Sequence, residues 1–293
     1  ERVSLEVFTC RGELPGPTAL IVGGIHGDEY EGPAAIWEIA DTLPRERVTG
    51  TVVLIPIASP LAWQAGTRVT PPDQVNLARV FPGDSHGSPT ERLASFLFDN
   101  FGRNCDYLID LHSGGVEYDF LPVAGFRGDA SPDNPSYAAA RAMGLPALWR
   151  LPDRPGVFSR EVARLGKVTV GAEYRGMGRL TTQGVRDYAR GIRSCLRLWG
   201  ILRDAAVEPV PQPEALYTSR WLLCPAEGVF TTPLRLGDVV AAGQTLAEIR
   251  NARGRPLAAV VADKSGTVLA VRSKAYAREG DWAILLGTRV EMP

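Results

Sequence analysis

Over its first 203 residues the chain keeps one rhythm: short apolar runs rich in β-branched side chains alternate with longer stretches of helical periodicity. The runs Ala19–Val22, Val52–Ile57, Tyr107–Leu111, Phe120–Ala124 and Val168–Ala172 read as strands, and their near-continuous hydrophobicity requires burial on both faces. The intervening stretches Gly32–Thr42, Thr90–Phe101, Pro135–Met143 and Ser159–Leu165 read as helices. Ser88, Pro89 and Glu91 form a start signal, with an N-cap, a first-turn proline and a capping-box partner. A longer helix is expected over Thr182–Leu202, where Val185, Tyr188, Ile192, Cys195, Trp199 and Leu202 make an apolar stripe. Arg186, Arg190, Arg193 and Arg197 line another face, either as a solvated surface or as an anion site. Strands alternating with helices predict an α/β fold, a mixed, mostly parallel sheet flanked by helices.

The rhythm stops after Asp204. Glu208–Glu214 carries three prolines without periodicity and reads as a linker. From about Tyr217 onward short strands are punctuated by Gly228, Gly237, Gly243, Gly254, Gly266 and Gly280, which predicts a smaller all-β, barrel-like domain. The expected organisation is residues 1–204 as the α/β domain, 205–215 as linker and 216–293 as the β-domain. The β-domain resembles the barrel-sandwich hybrid of biotinyl and lipoyl carriers. Its corresponding turn, Arg250–Arg255, has no lysine to modify, so a swinging-arm role is not expected.

Composition narrows the function. The 32 basic and 33 acidic residues leave a net charge of −1, with no cationic excess to pair with phosphates, so nucleic acid is not an expected partner. The longest apolar runs are too short to cross a bilayer, and no membrane partner is expected. Cys10, Cys105, Cys195 and Cys224 form no C-x-x-C pair and read as free thiols of a reducing cytoplasm.

The chain has only three histidines, and two of them fall at strand ends. His26 lies in Gly23-Gly-Ile-His-Gly-Asp-Glu29, between a strand and a helix, with Glu29 three positions later. His112 ends the strand Tyr107–Leu111, in Asp110-Leu-His-Ser-Gly-Gly115. Loops at the carboxyl ends of strands are where α/β sheets place their chemistry. Two imidazoles and one carboxylate converging there would leave a zinc coordination position open for water. The alternative is that these are polar groups satisfied locally at strand ends.

Four motifs in order carry a resemblance to a known family: His26-Gly-Asp-Glu29, Asn76-Leu-Ala-Arg-Val-Phe-Pro-Gly83, Asp110-Leu-His112 and Glu173-Tyr-Arg-Gly-Met-Gly178. Together they resemble the succinylglutamate desuccinylase/aspartoacylase family, a branch of the zinc carboxypeptidase superfamily, over residues 18–203. The family's frequent C-terminal β-domain resembles residues 215–293. The resemblance implies a zinc-dependent amide hydrolase that deacylates a small N-acylated amino acid or related amine. One zinc ion per chain would be held by His26, Glu29 and His112. Glu173 matches the general base and acid, Arg68 the arginine that polarises the scissile carbonyl, and Arg79 the arginine that grips a substrate carboxylate. Asn76 would orient His26 at the edge of the substrate site, and Tyr174 and Arg175 are further candidates for the substrate pocket. The expected partner is a small N-acyl molecule, with homo-oligomerisation left open.

The chain departs from the family at Ala78, where relatives usually carry an asparagine before the arginine. That removes one donor from the carboxylate-binding pair. Gly83-Asp-Ser-His-Gly87 fits the nucleophile elbow of serine hydrolases in letters only, because Pro82 precedes it and the next helix has its own cap. Two rival readings remain: a zinc carboxypeptidase acting on peptides, and a non-catalytic binding protein on the same fold.

Overall fold

The computed structural model describes residues 3–203 and 210–293; of the expected linker, residues 205–209 lie outside the described residues. In chain order the α/β part comprises β1 (Phe8–Arg11), β2 (Leu14–Val22), α1 (Glu31–Thr42), β3 (Thr49–Ile55), α2 (Pro60–Ala65), α3 (Pro89–Leu97) and β4 (Tyr107–His112). It continues with β5 (Tyr118–Phe120), β6 (Val123–Phe126), α4 (Pro135–Ala142), β7 (Ala147–Arg150), α5 (Phe158–Ala163), β8 (Val168–Glu173) and α6 (Thr182–Leu198). The strands β3, β2, β4 and β8 lie side by side in parallel; β6 joins β8 antiparallel, and β7 joins β6 in parallel.

Alternation along each strand divides the core into two layers. Ala19 and Ile21 of β2, with Ile109 and Leu111 of β4, face α1, α4 and α6. Leu20, Val22 and Leu108 face the other way, against Ala94 and Leu97 of α3 and Phe158 and Val162 of α5. A period of two therefore assigns every strand residue to a layer. Asp110 and His112 share the parity of Leu108, and Glu173 that of Gly171, so these polar residues project toward the α5 side.

Several elements differ from the expectation. The strand expected over Phe120–Ala124 is two strands, β5 and β6, interrupted at Leu121 and Pro122 because β5 turns away to pair with a strand near the end of the chain. Helix α6 stops at Leu198. Gly200 adopts a left-handed φ of 69°, and Ile201 and Leu202 fold back into the core, with Leu202 bridging Val48. Trp199 at the cap stacks on Tyr107 with ring centroids 4.4 Å apart. The arginine face of α6 is partly neutralised, with Arg190 paired to Asp187 and Arg193 to Glu38. The capping box at Ser88 and Glu91 forms as read. All four cysteines are free thiols.

The remaining strands are β9 (Ala215–Leu223), β10 (Gly228–Thr231), β11 (Val239–Val240), β12 (Thr245–Arg250), β13 (Pro256–Val261), β14 (Gly266–Arg272), β15 (Tyr276–Ala277) and β16 (Trp282–Val290). They form two groups. β13, β12, β10 and β15 make a separate antiparallel sheet, whereas β9, β16, β14 and β11 continue the main sheet beyond β7. The junction is a parallel β7–β9 pairing, and β5 adds a second link by pairing with β14. The result is one 12-stranded mixed sheet with helices on both faces of its α/β half. No described helix is long and apolar enough to cross a membrane.

The two faces of α6 should respond differently to truncation. Ile192 is fully buried and Arg186 exposed. Ile192→Ala should cost about 2–5 kcal/mol in a urea unfolding series, and Arg186→Ala less than about 0.5 kcal/mol. Equal effects would mean that the stripe does not anchor the helix.

Candidate active site

The carboxyl ends of β2, β4 and β8 lie together, and the polar residues identified from the sequence collect there. In the parallel ladders Val22 is opposite Asp110, and His112 is opposite Glu173. His112 and Glu173 are thus neighbours across adjacent strands, placed by register alone. The loop after β2 delivers His26 and Glu29. Its path is pinned by Gly27, whose N–H donates to the Thr67 carbonyl at 2.9 Å and where a Cβ would lie 2.0 Å from the Ala62 carbonyl. Only glycine permits that approach. Asp28 accepts from the Val116 N–H at 2.9 Å, tying this loop to the one after β4.

Glu29, with its side chain 2% exposed, receives both imidazoles: His26 Nδ1 lies 2.7 Å from Oε1 and His112 Nδ1 lies 3.0 Å from Oε2. Arg68 Nη1 donates to Oε1 at 3.0 Å, and the Ser113 N–H donates to Oε2 at 3.1 Å. The opposite edges of both rings face oxygens. His26 Nε2 lies 3.1 Å from Asn76 Oδ1, and His112 Nε2 lies 3.1 Å from Asp110 Oδ1. Asn76 Oδ1 is itself held by the Ala78 N–H at 2.9 Å, at the head of a single turn over Leu77–Arg79.

This arrangement fits a divalent cation. With the N–H of each ring on Nε2, facing Asn76 Oδ1 and Asp110 Oδ1, both Nδ1 atoms would offer lone pairs to a cation beside Glu29. Protons on the rings or a bound cation would equally supply the positive charge that this carboxylate calls for, and the donor set suits the cation. Ligand atoms of His26, Glu29 and His112 all lie within 4.8 Å of one another, and a tetrahedral zinc site uses this donor set.

The electrostatics follow burial and neighbours. Burial, reinforced by the charge of Arg68, lowers the His26 pKa to about 4. Burial also pulls His112 down, but Asp110 and Glu29 outweigh it and hold its pKa above the ordinary range. Glu173 is the outlier among the carboxylates. Burial pushes its pKa up to about 8, and its Oε2 is shielded from solvent without a hydrogen-bond partner.

These groups open onto a cavity of about 430 Å³, which His26, His112, Arg68, Arg79 and Glu173 all line. Two of the proposed pocket residues lie elsewhere. Tyr174 follows Glu173 and so faces the opposite layer, donating its hydroxyl to Asp187 at 2.9 Å. Arg175 sits in a left-handed turn, φ 48°, and pairs with Asp119 at 3.0 Å. Neither borders the cavity. Asn76 does not border it either; it touches the site through His26. Ser85 and His86 form an exposed turn, apart from any strand-to-helix elbow.

Sequence reasoning missed Trp149, Arg127 and Arg154, and also Trp221 and Trp282, which the C-terminal strands bring to the cavity. Nothing local marks them, because they reach the site through β7, β9 and β16. Asp110 was legible in Asp110-Leu-His112, since a period of two puts it on the His112 face.

Comparison with known proteins identifies the family. The succinylglutamate desuccinylase/aspartoacylase catalytic domain matches residues 15–199. An N-alpha-acetyl-L-2,4-diaminobutyric acid deacetylase from Halomonas elongata is 33% identical, over 96% of this chain and 84% of its own. Among solved structures, a succinylglutamate desuccinylase/aspartoacylase from Rhodobacter sphaeroides superposes with a TM-score of 0.87 at 29% identity, covering 98% of this chain and 90% of its own. The product-bound ectoine utilization protein EutE (DoeB) from Ruegeria pomeroyi gives 0.86 at 30% identity, covering 96% and 88%. With the matched domain spanning the strands, loops and motifs that build the site, the chain belongs to the succinylglutamate desuccinylase/aspartoacylase family.

Proposed function

We propose that the protein is a zinc-dependent deacylase that hydrolyses the amide of a small N-acylated amino acid, with His26, Glu29 and His112 as the metal ligands. The observation that carries this reading is the convergence of the two Nδ1 atoms on Glu29 at the wall of a cavity that also holds an unpartnered Glu173. A zinc ion held there would supply the positive charge that acidifies a water and polarises the scissile carbonyl.

The chain's own residues account for the proton movements. Glu173 Oε2 has no competing donor, so it is free to accept a proton from the attacking water. Its raised pKa then suits it to keep that proton and pass it to the departing amine nitrogen. Arg68, anchored through Glu29, presents its guanidinium to the cavity where the carbonyl oxygen gains negative charge. Arg79 is positioned for a substrate carboxylate, with a planar fork suited to bidentate pairing. The products are a carboxylate and a free amine.

Cavity size favours a small substrate over a peptide, since Trp221 and Trp282 wall one side. The Halomonas elongata relative makes Nα-acetyl-L-2,4-diaminobutyrate the first compound to try. The chain's four motifs, its deacetylase relative and the aromatic wall of its cavity all support deacylation rather than carboxypeptidase action or simple binding.

Metal content tests the foundation. Purified wild-type protein should carry close to one zinc per chain by mass spectrometry, and His26→Ala should lose it under identical conditions; a metal-free wild type after zinc incubation would sink the reading. Asn76→Ala should weaken zinc affinity by roughly 10–100-fold, because His26 loses the oxygen that orients its ring, and a competitive chelator titration would read this. Glu173→Gln should keep the metal while amine release from the diaminobutyrate substrate falls by roughly 10²–10⁴-fold. Turnover near the wild-type rate would remove Glu173 from the proton transfers.

A further inference from the structure

Beside Arg79 the cavity wall carries another cation that none of the four motifs contains. Arg154 lies on the loop between β7 and α5, and its guanidinium carbon stands 5.1 Å from the centroid of the Trp282 ring. Arg79 stands 5.6 Å from the same ring. Trp282 is stacked on Trp221 with centroids 4.6 Å apart and planes within 12°, so the two cations share a rigid aromatic platform.

Backbone contacts fix both arginines in place. The Phe81 N–H donates to the Gly156 carbonyl at 3.2 Å, and the Gly156 N–H donates to Glu161 Oε1 at 3.1 Å. Gly156 has a φ of 83°, and a Cβ there would lie 2.1 Å from the Arg79 carbonyl oxygen. The Arg154 loop is therefore docked directly on the segment that carries Arg79.

Neither guanidinium has an acidic partner among the described residues. The side chain of Arg79 makes one hydrogen bond, from Nη1 to the Ala78 carbonyl at 2.7 Å. Asp153, beside Arg154 in sequence, is taken by Arg160 through contacts of 2.6 and 3.1 Å. Two other arginines of the cavity are paired with carboxylates, Arg68 with Glu29 and Arg220 with Asp263, while Arg127 donates to the Ser159 hydroxyl at 3.3 Å and keeps a buried, unpartnered Nε away from the Trp282 ring. Burial and the nearby charges of Arg154 and Arg68 lower the Arg79 pKa to about 10. Two like charges kept close and unpartnered favour an anion near both. Stacking on an indole face leaves the N–H edges of a guanidinium free to donate in its own plane.

We infer that Arg154 is a specificity-determining residue. With Arg79 it brackets the carboxylate of the N-acyl amino acid above Trp282, supplying a donor that the Ala78 side chain lacks. This rests on the deacylase reading above, and it extends that reading to the C-terminal strands, which provide the platform.

The test is equilibrium binding, followed by tryptophan fluorescence, of N-acetyl-L-alanine and of its carboxamide to the zinc-loaded protein, wild type or variant at Arg154, in a common Glu173→Gln background that binds the ligand without hydrolysing it. Wild type should prefer the carboxylate by about ten-fold or more, the size expected of a charge-assisted pair. Arg154→Ala should cut that preference at least about five-fold while carboxamide affinity stays within about two-fold, and Arg154→Lys should recover part of it. Arg154 is exposed, so both variants should keep the wild-type circular dichroism. Absence of a carboxylate preference in the wild type, or equal weakening of both ligands by Arg154→Ala, would overturn the assignment. A preserved preference in a protein that hydrolyses no N-acyl amino acid would instead remove the deacylase reading and leave the anion clamp standing.

Discussion

Almost everything at the site hangs on one buried carboxylate. Glu29 is nearly sealed from solvent, and a lone charge there would be strongly disfavoured. It is offset by the His26 imidazole from its own loop, by the Arg68 guanidinium, and by the His112 imidazole and the Ser113 N–H at the end of β4. That demand explains much of the surrounding architecture. The Gly27 loop must approach the backbone at Ala62, Asp28 must tie down Val116, and α6 must hold the end of β4, which it does through the Tyr188 hydroxyl donating to the His112 carbonyl at 2.6 Å. A buried charge with one partner missing is expensive, which enforces a single arrangement of these three segments.

The electrostatic contrast between the two glutamates has the same source. Glu29 has its charge neutralised by its neighbours, while Glu173, one strand over from His112, lacks hydrogen-bond donors and is raised by burial. The environment pushes two identical side chains in opposite directions, the contrast that the proposed division between a metal ligand and a proton carrier requires.

Legibility in the sequence followed the range of the interactions. The α/β alternation, the Ser88 capping box and the strand-end histidines are local signals, and the family resemblance ordered them. The continuation of the main sheet into β9, β16, β14 and β11 depends on pairings between segments far apart in sequence, such as β5 with β14, and no periodicity announces it. The cavity's tryptophans and Arg154 were hidden for the same reason. Tyr174 and Arg175 adjoin Glu173 in sequence, but strand alternation and a left-handed turn carry them away from the cavity.

One feature of the sheet bears on how the molecule assembles. β16, the last strand in the described sequence, is inserted between β9 and β14 rather than added at an edge. Its Trp282 closes one side of the cavity. The main sheet therefore cannot be finished progressively as the chain emerges, because a slot must wait for residues 282–290. The two pairings of β16 differ in reach, with β14 separated from it only by residues 273–281 and β9 by most of the C-terminal part. The His26, Glu29 and His112 cluster is drawn from the first half of the sequence, whereas the wall of its cavity is completed by residues 282–290, so the two ends of the described chain meet at one place.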